Sequence, residues 1–180
     1  MLYSHNEQKK FGQDLVMNII EIATDNIRKL AKYSVFRNRD EINRYKKEWI
    51  YCHLAIGLDI LYSNVYLQTK GKDRELYESI NYHASIRIEA LFELMEENDD
   101  VLRLRYNEFV RRQKQYATIF DNITNGQKMI YETAYFSCEL AGISRERIDI
   151  DFFVDDFAVD MISKFVIWMD QFIKERVYSR

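Results

Sequence analysis

Apolar residues recur at spacings of three and four along nearly the whole chain, which is the period of an amphipathic α-helix. The first such stretch opens with Ser4 and Glu7, whose spacing is that of a capping box. One face of this stretch then carries the apolar side chains of Phe11, Leu15, Ile19, Ile22 and Leu30. The pattern predicts a first helix that starts after Ser4 and ends near Tyr33.

Short polar segments, some with glycine, separate the remaining stretches of helical period. The later predicted helices run from about Glu41 to Thr69, from Asp73 to about Glu97, from near Val101 to about Asn122, over a shorter stretch ending at Gly142, and from about Asp151 to Val177. Connections of a few residues force long consecutive helices to pack antiparallel. We therefore predict an all-α, up-and-down bundle of four to five long helices plus one short helix, in a single domain spanning residues 1–180.

The composition agrees with this fold class. The chain has no proline and only five glycines, too few for the many tight turns of a β-sandwich or barrel. Two tryptophans, thirteen tyrosines and eleven phenylalanines exclude a disordered chain. Among the glycines, Gly57 lies inside a predicted helix, where glycine is costly, so it predicts a close helix crossing.

The charge is nearly balanced, with a formal net charge of -3. No overall field therefore attracts the chain to nucleic acid or to an anionic membrane. We also find no apolar h-region at the start and no uncharged apolar stretch approaching the length of a membrane span. These features predict a cytoplasmic protein with no membrane partner. Cys52 and Cys138 are isolated within amphipathic stretches, which predicts buried, reduced thiols.

The second and third predicted helices align at an offset of 30 residues. The positions whose residue type recurs at this offset are Arg44, Glu48, Ile50, His53, Ile56 and Leu61. If the two helices form a hairpin centred on Gly71, His53 lies level with Glu89, and His83 lies level with Asp59. The repeat thus predicts two pairs of imidazole and carboxylate in one bundle.

These four residues support one alternative function, metal or cofactor binding. Imidazole and carboxylate are ligands for zinc, iron and manganese. His53 and Asp59 are six residues apart, however, so they lie about 240° apart around the helix axis and cannot face the same partner. Hydrogen-bonded structural histidines are the preferred interpretation, and we expect no cofactor.

The fourth predicted helix is locally basic. It carries Arg103, Arg105, Arg111, Arg112 and Lys114 against the single Glu108. Arg105, Arg111 and Arg112 are candidate binding residues for an acidic partner, although a solvated helix face with internal ion pairs gives the same pattern.

The last predicted helix has an apolar face made by Phe157, Met161, Phe165, Trp168 and Phe172. Such a face most often belongs to the core. The alternatives are that Phe157, Phe165 and Trp168 form a dimer interface or enclose an apolar small ligand.

The turn around Gly142 has the apolar spacing of a helix-turn-helix, which supports a second alternative, a DNA-binding regulator. The segment after it carries Asp149, Asp151, Asp155, Asp156 and Asp160 and no base. Because these charges would repel phosphate, nucleic acid is not the expected partner.

No sequence motif of catalysis or phosphate binding is present, so no catalytic residue is predicted. The sequence leaves the question of enzymatic activity open and favours a non-catalytic regulatory or adaptor protein of the cytoplasm. Such a protein would act by binding a protein partner or a small ligand, or by self-association as a homodimer.

Overall fold

The computed structural model describes residues 4–30, 33, 35–98 and 104–178, and within them the chain forms helices and no strand. The α-helices are α1 (His5–Lys29), α2 (Arg39–Leu61), α3 (Arg74–Asn98), α4 (Tyr106–Asn122), α5 (Gly126–Leu140), α6 (Ile148–Phe153) and α7 (Val159–Tyr178). A π-helical turn, Tyr62–Leu67, extends α2, and a second, Val154–Ala158, joins α6 to α7. The predicted all-α class is confirmed.

Side-chain caps fix several helix starts, and the capping box predicted at Ser4 and Glu7 is confirmed. The Ser4 hydroxyl accepts a hydrogen bond from the Glu7 backbone N–H, and the Glu7 carboxylate accepts one from the Ser4 backbone N–H. Asn38 caps α2, and Asn125 caps α5, each by accepting from a backbone N–H three residues later at 2.9 Å. These caps satisfy amide groups that have no partner inside a helix.

Some predicted boundaries were wrong. The first helix ends at Lys29 and not near Tyr33. The long helix predicted from about Asp151 to Val177 starts slightly earlier, at Ile148, and continues without a break through α6, the π-helical turn and α7. The predicted start of the fourth helix near Val101, and Arg103 with it, lie outside the described residues.

The helices surround α2, which contacts α1, α4, α5 and α7. Every residue from 51 to 58 is buried as a result. Glu48 of α2 pairs with Arg112 of α4, and Asp59, farther along α2, lies near Asp121, farther along α4, so α2 and α4 run parallel. One hydrophobic core collects side chains from all seven helices.

Helix α3 occupies the edge of this bundle and packs mainly against α1. It reaches α2 through Phe92, whose ring centroid lies 5.9 Å from that of Tyr51, and through Tyr77, which packs on the π-helical turn. The expected hairpin of the second and third helices is therefore corrected, because α1 provides the surface on which most of α3 packs.

Two glycines permit close helix crossings. A Cβ atom added to Gly57 would lie 2.5 Å from Ile19 Cδ1, so the crossing predicted there is confirmed. A Cβ atom on Gly12 would lie 2.6 Å from the backbone oxygen of Ile80, which shows that α1 and α3 approach with their backbones nearly in contact. The sequence did not indicate this second crossing.

By length and composition alone, one described helix, Arg39–Leu67, could cross a membrane. Its most apolar window has a mean hydropathy of 1.2, and 67% of that window is buried inside the fold. That window includes the charged Asp59, so the expectation that the chain has no uncharged apolar stretch of this length is not contradicted. A fully surrounded core helix has the same composition, because both faces of α2 meet apolar neighbours.

Candidate binding surfaces

Arg112, one of the three candidate binding arginines, lies in the interface between α2 and α4. Its Nε and Nη2 atoms lie 3.0 and 2.8 Å from Glu48 Oε1, and the Glu48 side chain is only 2% exposed. Burial raises the pKa of Glu48, while the nearby Arg112 guanidinium opposes this rise. Arg112 therefore neutralises a buried carboxylate and is not available to an acidic partner, which corrects its proposed role.

A second set of contacts fixes the start of α4. The Glu108 carboxylate accepts from Lys47 Nζ at 3.1 Å, and the Tyr51 hydroxyl accepts from the Arg105 backbone N–H at 2.9 Å. The side chains of Arg105 and Arg111 remain exposed. Arg105 and Arg111 are therefore the two candidate arginines that lie at the surface, as contact with a partner requires.

Arg105 and Arg111 line a cleft of about 690 Å³ between α3 and α4. The α3 wall of the cleft carries Glu89, Phe92 and Glu93, and the α4 side also provides Leu104 and Tyr106. Phe92 and Leu104 are buried at 1% and 0% exposure, so they close the cleft from below, between its charged walls, and present almost no surface of their own.

The outer face of α3 is a further surface, and it was missed at the level of sequence. Tyr82, Ile86 and Leu94 are 61%, 45% and 58% exposed, and Ala90 between them is also exposed. These four residues, which we name the outer ridge, follow one another at a spacing of four.

Helix α3 buries a different ridge with the same spacing. Leu76, Ile80, Ala84, Ile88 and Phe92 make up this inner ridge. Ala84 and Ile86 are two residues apart, or about 200° around the axis, so the two ridges lie on nearly opposite faces. The sequence pattern that could have revealed the outer ridge is a second row of residues at a spacing of four, which lies opposite the row that forms the core.

The aromatic face of the last helix is mostly core. Phe157 and Phe165 are each 2% exposed, and Phe165 packs on His53 with ring centroids 4.6 Å apart. Trp168 is half-buried and stacks on Phe172 at 5.1 Å. Phe157 and Phe165 are thus unavailable as a dimer interface or as a ligand surface in the folded chain, and Trp168 alone of the three reaches solvent.

The four residues of the metal hypothesis are not brought together. His53 is fully buried between the rings of Trp49 and Phe165, and its Nδ1 lies 2.9 Å from the Trp49 backbone oxygen. Burial lowers the pKa of His53 to about 4. Asp59 is directed elsewhere, toward α4, where burial and then the nearby Asp121 raise its pKa to about 6.

The other two members of that hypothesis lie on α3. His83 is half-buried beside α1, with its ring centroid 5.1 Å from that of His5, and Glu89 lines the cleft. Within the described part of the chain, no three His, Cys, Asp or Glu side chains are grouped as metal ligands. The physical reason is that α3 packs on α1, which separates the His83 layer from that of His53.

Gly142 ends α5 in a Schellman motif. Gly142 has a φ of +80°, its N–H donates to the Glu139 carbonyl, and the Ile143 N–H donates to the Cys138 carbonyl, both at 2.9 Å. The arginines that a DNA-binding turn would need are occupied within the chain. Arg145 pairs with Glu132 and Glu139, and Arg147 pairs with Glu41 and Asp149.

The two cysteines are free, buried thiols, as predicted. Burial raises the pKa of Cys138 to about 12 and raises that of Cys52 as well. Because the thiolate is the reactive form, both thiols are expected to be inert in the folded protein.

Comparisons of the chain with protein-family models, with curated proteins and with solved structures found no match.

Proposed function

We propose that the protein is a non-catalytic regulatory or adaptor protein of the cytoplasm, and that it binds a basic amphipathic helix of a partner protein on the outer face of α3. The single observation that carries this proposal is the outer ridge, an apolar row on an edge helix whose opposite face already provides its share of the core.

The ridge has the geometry that a helix-binding surface needs. Four residues at a spacing of four extend along about three turns, and helices pack by placing such rows into one another's grooves. Exposing an apolar helix face to water is unfavourable, and a partner that covers the face removes this cost. Aromatic residues such as Tyr82 are enriched in the centres of protein interfaces.

Charge indicates which kind of helix fits. Helix α3 contains two arginines and six glutamates. Glu89 and Glu93 each follow a ridge residue by three positions, so both lie on one flank of the ridge. A second copy of α3 laid on the first would bring two acidic helices together, whereas a helix with basic flanks would be attracted.

A direct test uses a synthetic amphipathic helix of leucine and lysine, with its leucine and glutamate counterpart as the comparison, and fluorescence anisotropy as the measurement. We expect the basic peptide to bind roughly tenfold more tightly than the acidic one, and its binding to weaken as salt rises. Ile86→Ser should lower the affinity for the basic peptide by about tenfold, because it interrupts the centre of the ridge.

The matched control is Ile167→Ser on α7, since Ile167 is 60% exposed and lies on a different helix. It should leave peptide binding unchanged. Equal losses in the two variants, or a preference for the acidic peptide, would contradict the proposal. A dimer seen by light scattering and abolished by Ile86→Ser would assign the ridge to a second copy and would likewise overturn it.

A further inference from the structure

The cleft between α3 and α4 has walls of opposite charge. Glu89 and Glu93 stand on the α3 wall, and Arg111 stands on the α4 wall. Glu108, which also lines the cleft, is compensated by Lys47 at 3.1 Å and lies 3.9 Å from Arg112. Arg105 also lines the cleft and already has a partner, so the charges left to act on a ligand are carboxylates on one side and the Arg111 guanidinium on the other.

The oppositely charged side chains of the two walls do not form ion pairs with each other. No nitrogen of Arg111 comes within 4.0 Å of a Glu89 or Glu93 oxygen, and within the described chain these three side chains form no other ion pair. Surface ion pairs form readily when geometry allows, although each contributes little. The separation thus leaves room between the walls for a molecule that carries both charges.

The floor of the cleft adds a third property. Phe92 and Leu104 are buried beneath it, and Tyr106 lines the α4 side. A volume of about 690 Å³ lies within the range of cavities that enclose small ligands. An apolar side chain on the ligand would be removed from water against the half-buried Tyr106 ring.

We infer that this cleft binds a zwitterionic small molecule with apolar side chains, of the class of a short peptide. Its ammonium group lies toward Glu89 and Glu93, its carboxylate lies toward Arg111, and its side chains pack against Tyr106. This site is separate from the outer ridge, although Glu89 and Glu93 contribute to both.

The test is isothermal titration calorimetry of the full chain with the dipeptide leucyl-leucine, and with the same dipeptide blocked by N-acetylation or by C-terminal amidation. Each blocked form should bind roughly tenfold more weakly, since each leaves one charged wall without its partner. Arg111→Gln should weaken the unblocked dipeptide by about tenfold, to the level of its amidated form, and should leave the amidated form unchanged, because the carboxylate has lost its partner.

Glu175→Gln and Arg28→Gln are the matched controls, because both residues are exposed and lie on α7 and α1. Neither should change the titration. No heat from leucyl-leucine at millimolar concentration, or equal binding of the blocked and unblocked forms, would overturn the assignment. Ile86→Ser should leave dipeptide binding intact, so failure of this inference and failure of the helix-binding proposal are distinguishable.

Discussion

Helices α2 and α3 carry the same six residue types at the same spacing, yet several of the equivalent residues lie in different environments. Ile56 of α2 is 4% exposed, whereas its counterpart Ile86 is 45% exposed. Glu48 forms a buried ion pair with α4, whereas Glu78 pairs with Arg74 at the surface of its own helix. A shared pattern therefore sets the helical conformation, and the neighbours of each helix decide what its residues do.

The histidines show the same contrast. His53 is enclosed by the aromatic rings of α2 and α7, and no charged side chain in the described structure shifts its pKa. His83 is half-buried, and its pKa is lowered by burial and then by nearby His5 and Lys9. If the comparison between the two helices is right, equivalent substitutions in them will have unequal effects.

The largest difference should come from the two ion pairs. Arg112→Ala leaves the Glu48 carboxylate buried without a counter-charge, which should lower the free energy of unfolding by about 3–5 kcal/mol. Arg74→Ala breaks a solvated pair within one helix and should cost less than about 0.5 kcal/mol. Urea denaturation followed by circular dichroism measures both values.

Comparable losses in the two variants would contradict the contrast between α2 and α3. Glu48→Gln in the Arg112→Ala background serves as the control. It removes the stranded charge and should recover part of the stability.

The second difference between the two helices is the effect of acidic pH on stability. Since the pKa of His53 is about 4 in the folded chain and about 6.5 when unfolded, the unfolded state binds an extra proton between these values. Stability should therefore fall by up to about 3 kcal/mol as the pH drops from 6.5 to 4, and should level off below. His53→Phe should remove this fall, whereas His83→Phe should keep it.

Asp59 acts in the opposite direction, because its raised pKa of about 6 makes protonation below that pH favourable to the folded state. The comparison is therefore made in the Asp59→Asn background, by thermal unfolding across the pH range. If the loss of stability between pH 6.5 and pH 4 is unchanged in His53→Phe, groups other than His53 cause that loss.

The smallest expected difference in stability is between alanine substitutions at the two glycines where α1 crosses its neighbours. Gly12→Ala places a methyl group against the backbone of α3 and should cost about 2 kcal/mol, because backbone atoms cannot move aside locally. At Gly57 the obstructing atoms are the ends of Ile19 and Met169, which can rotate, and alanine gains about 1 kcal/mol of helix propensity. Gly57→Ala should therefore change stability by less than about 1 kcal/mol, measured by thermal unfolding. A larger loss at Gly57 than at Gly12 would reverse this ranking.

The site was less predictable than the fold. Arg105 and Arg111 remain at the surface as the basic helix suggested, but Arg112, seven residues after Arg105, is half-buried and paired with the buried Glu48. Nothing in the spacing of α4 distinguishes these arginines, since the deciding contact comes from a helix 64 residues away. The same holds for Phe157 and Phe165, whose burial depends on α2.

The sequence by itself determined the helices, their caps at Ser4, Asn38 and Asn125, and the glycine stop at Gly142. These features depend on interactions within about one helical turn, which sequence spacing specifies directly. Only the tertiary structure decided which ridge of α3 is buried. Both ridges have the period of a helix, and the choice between them depends on the backbone approach of α1 at Gly12.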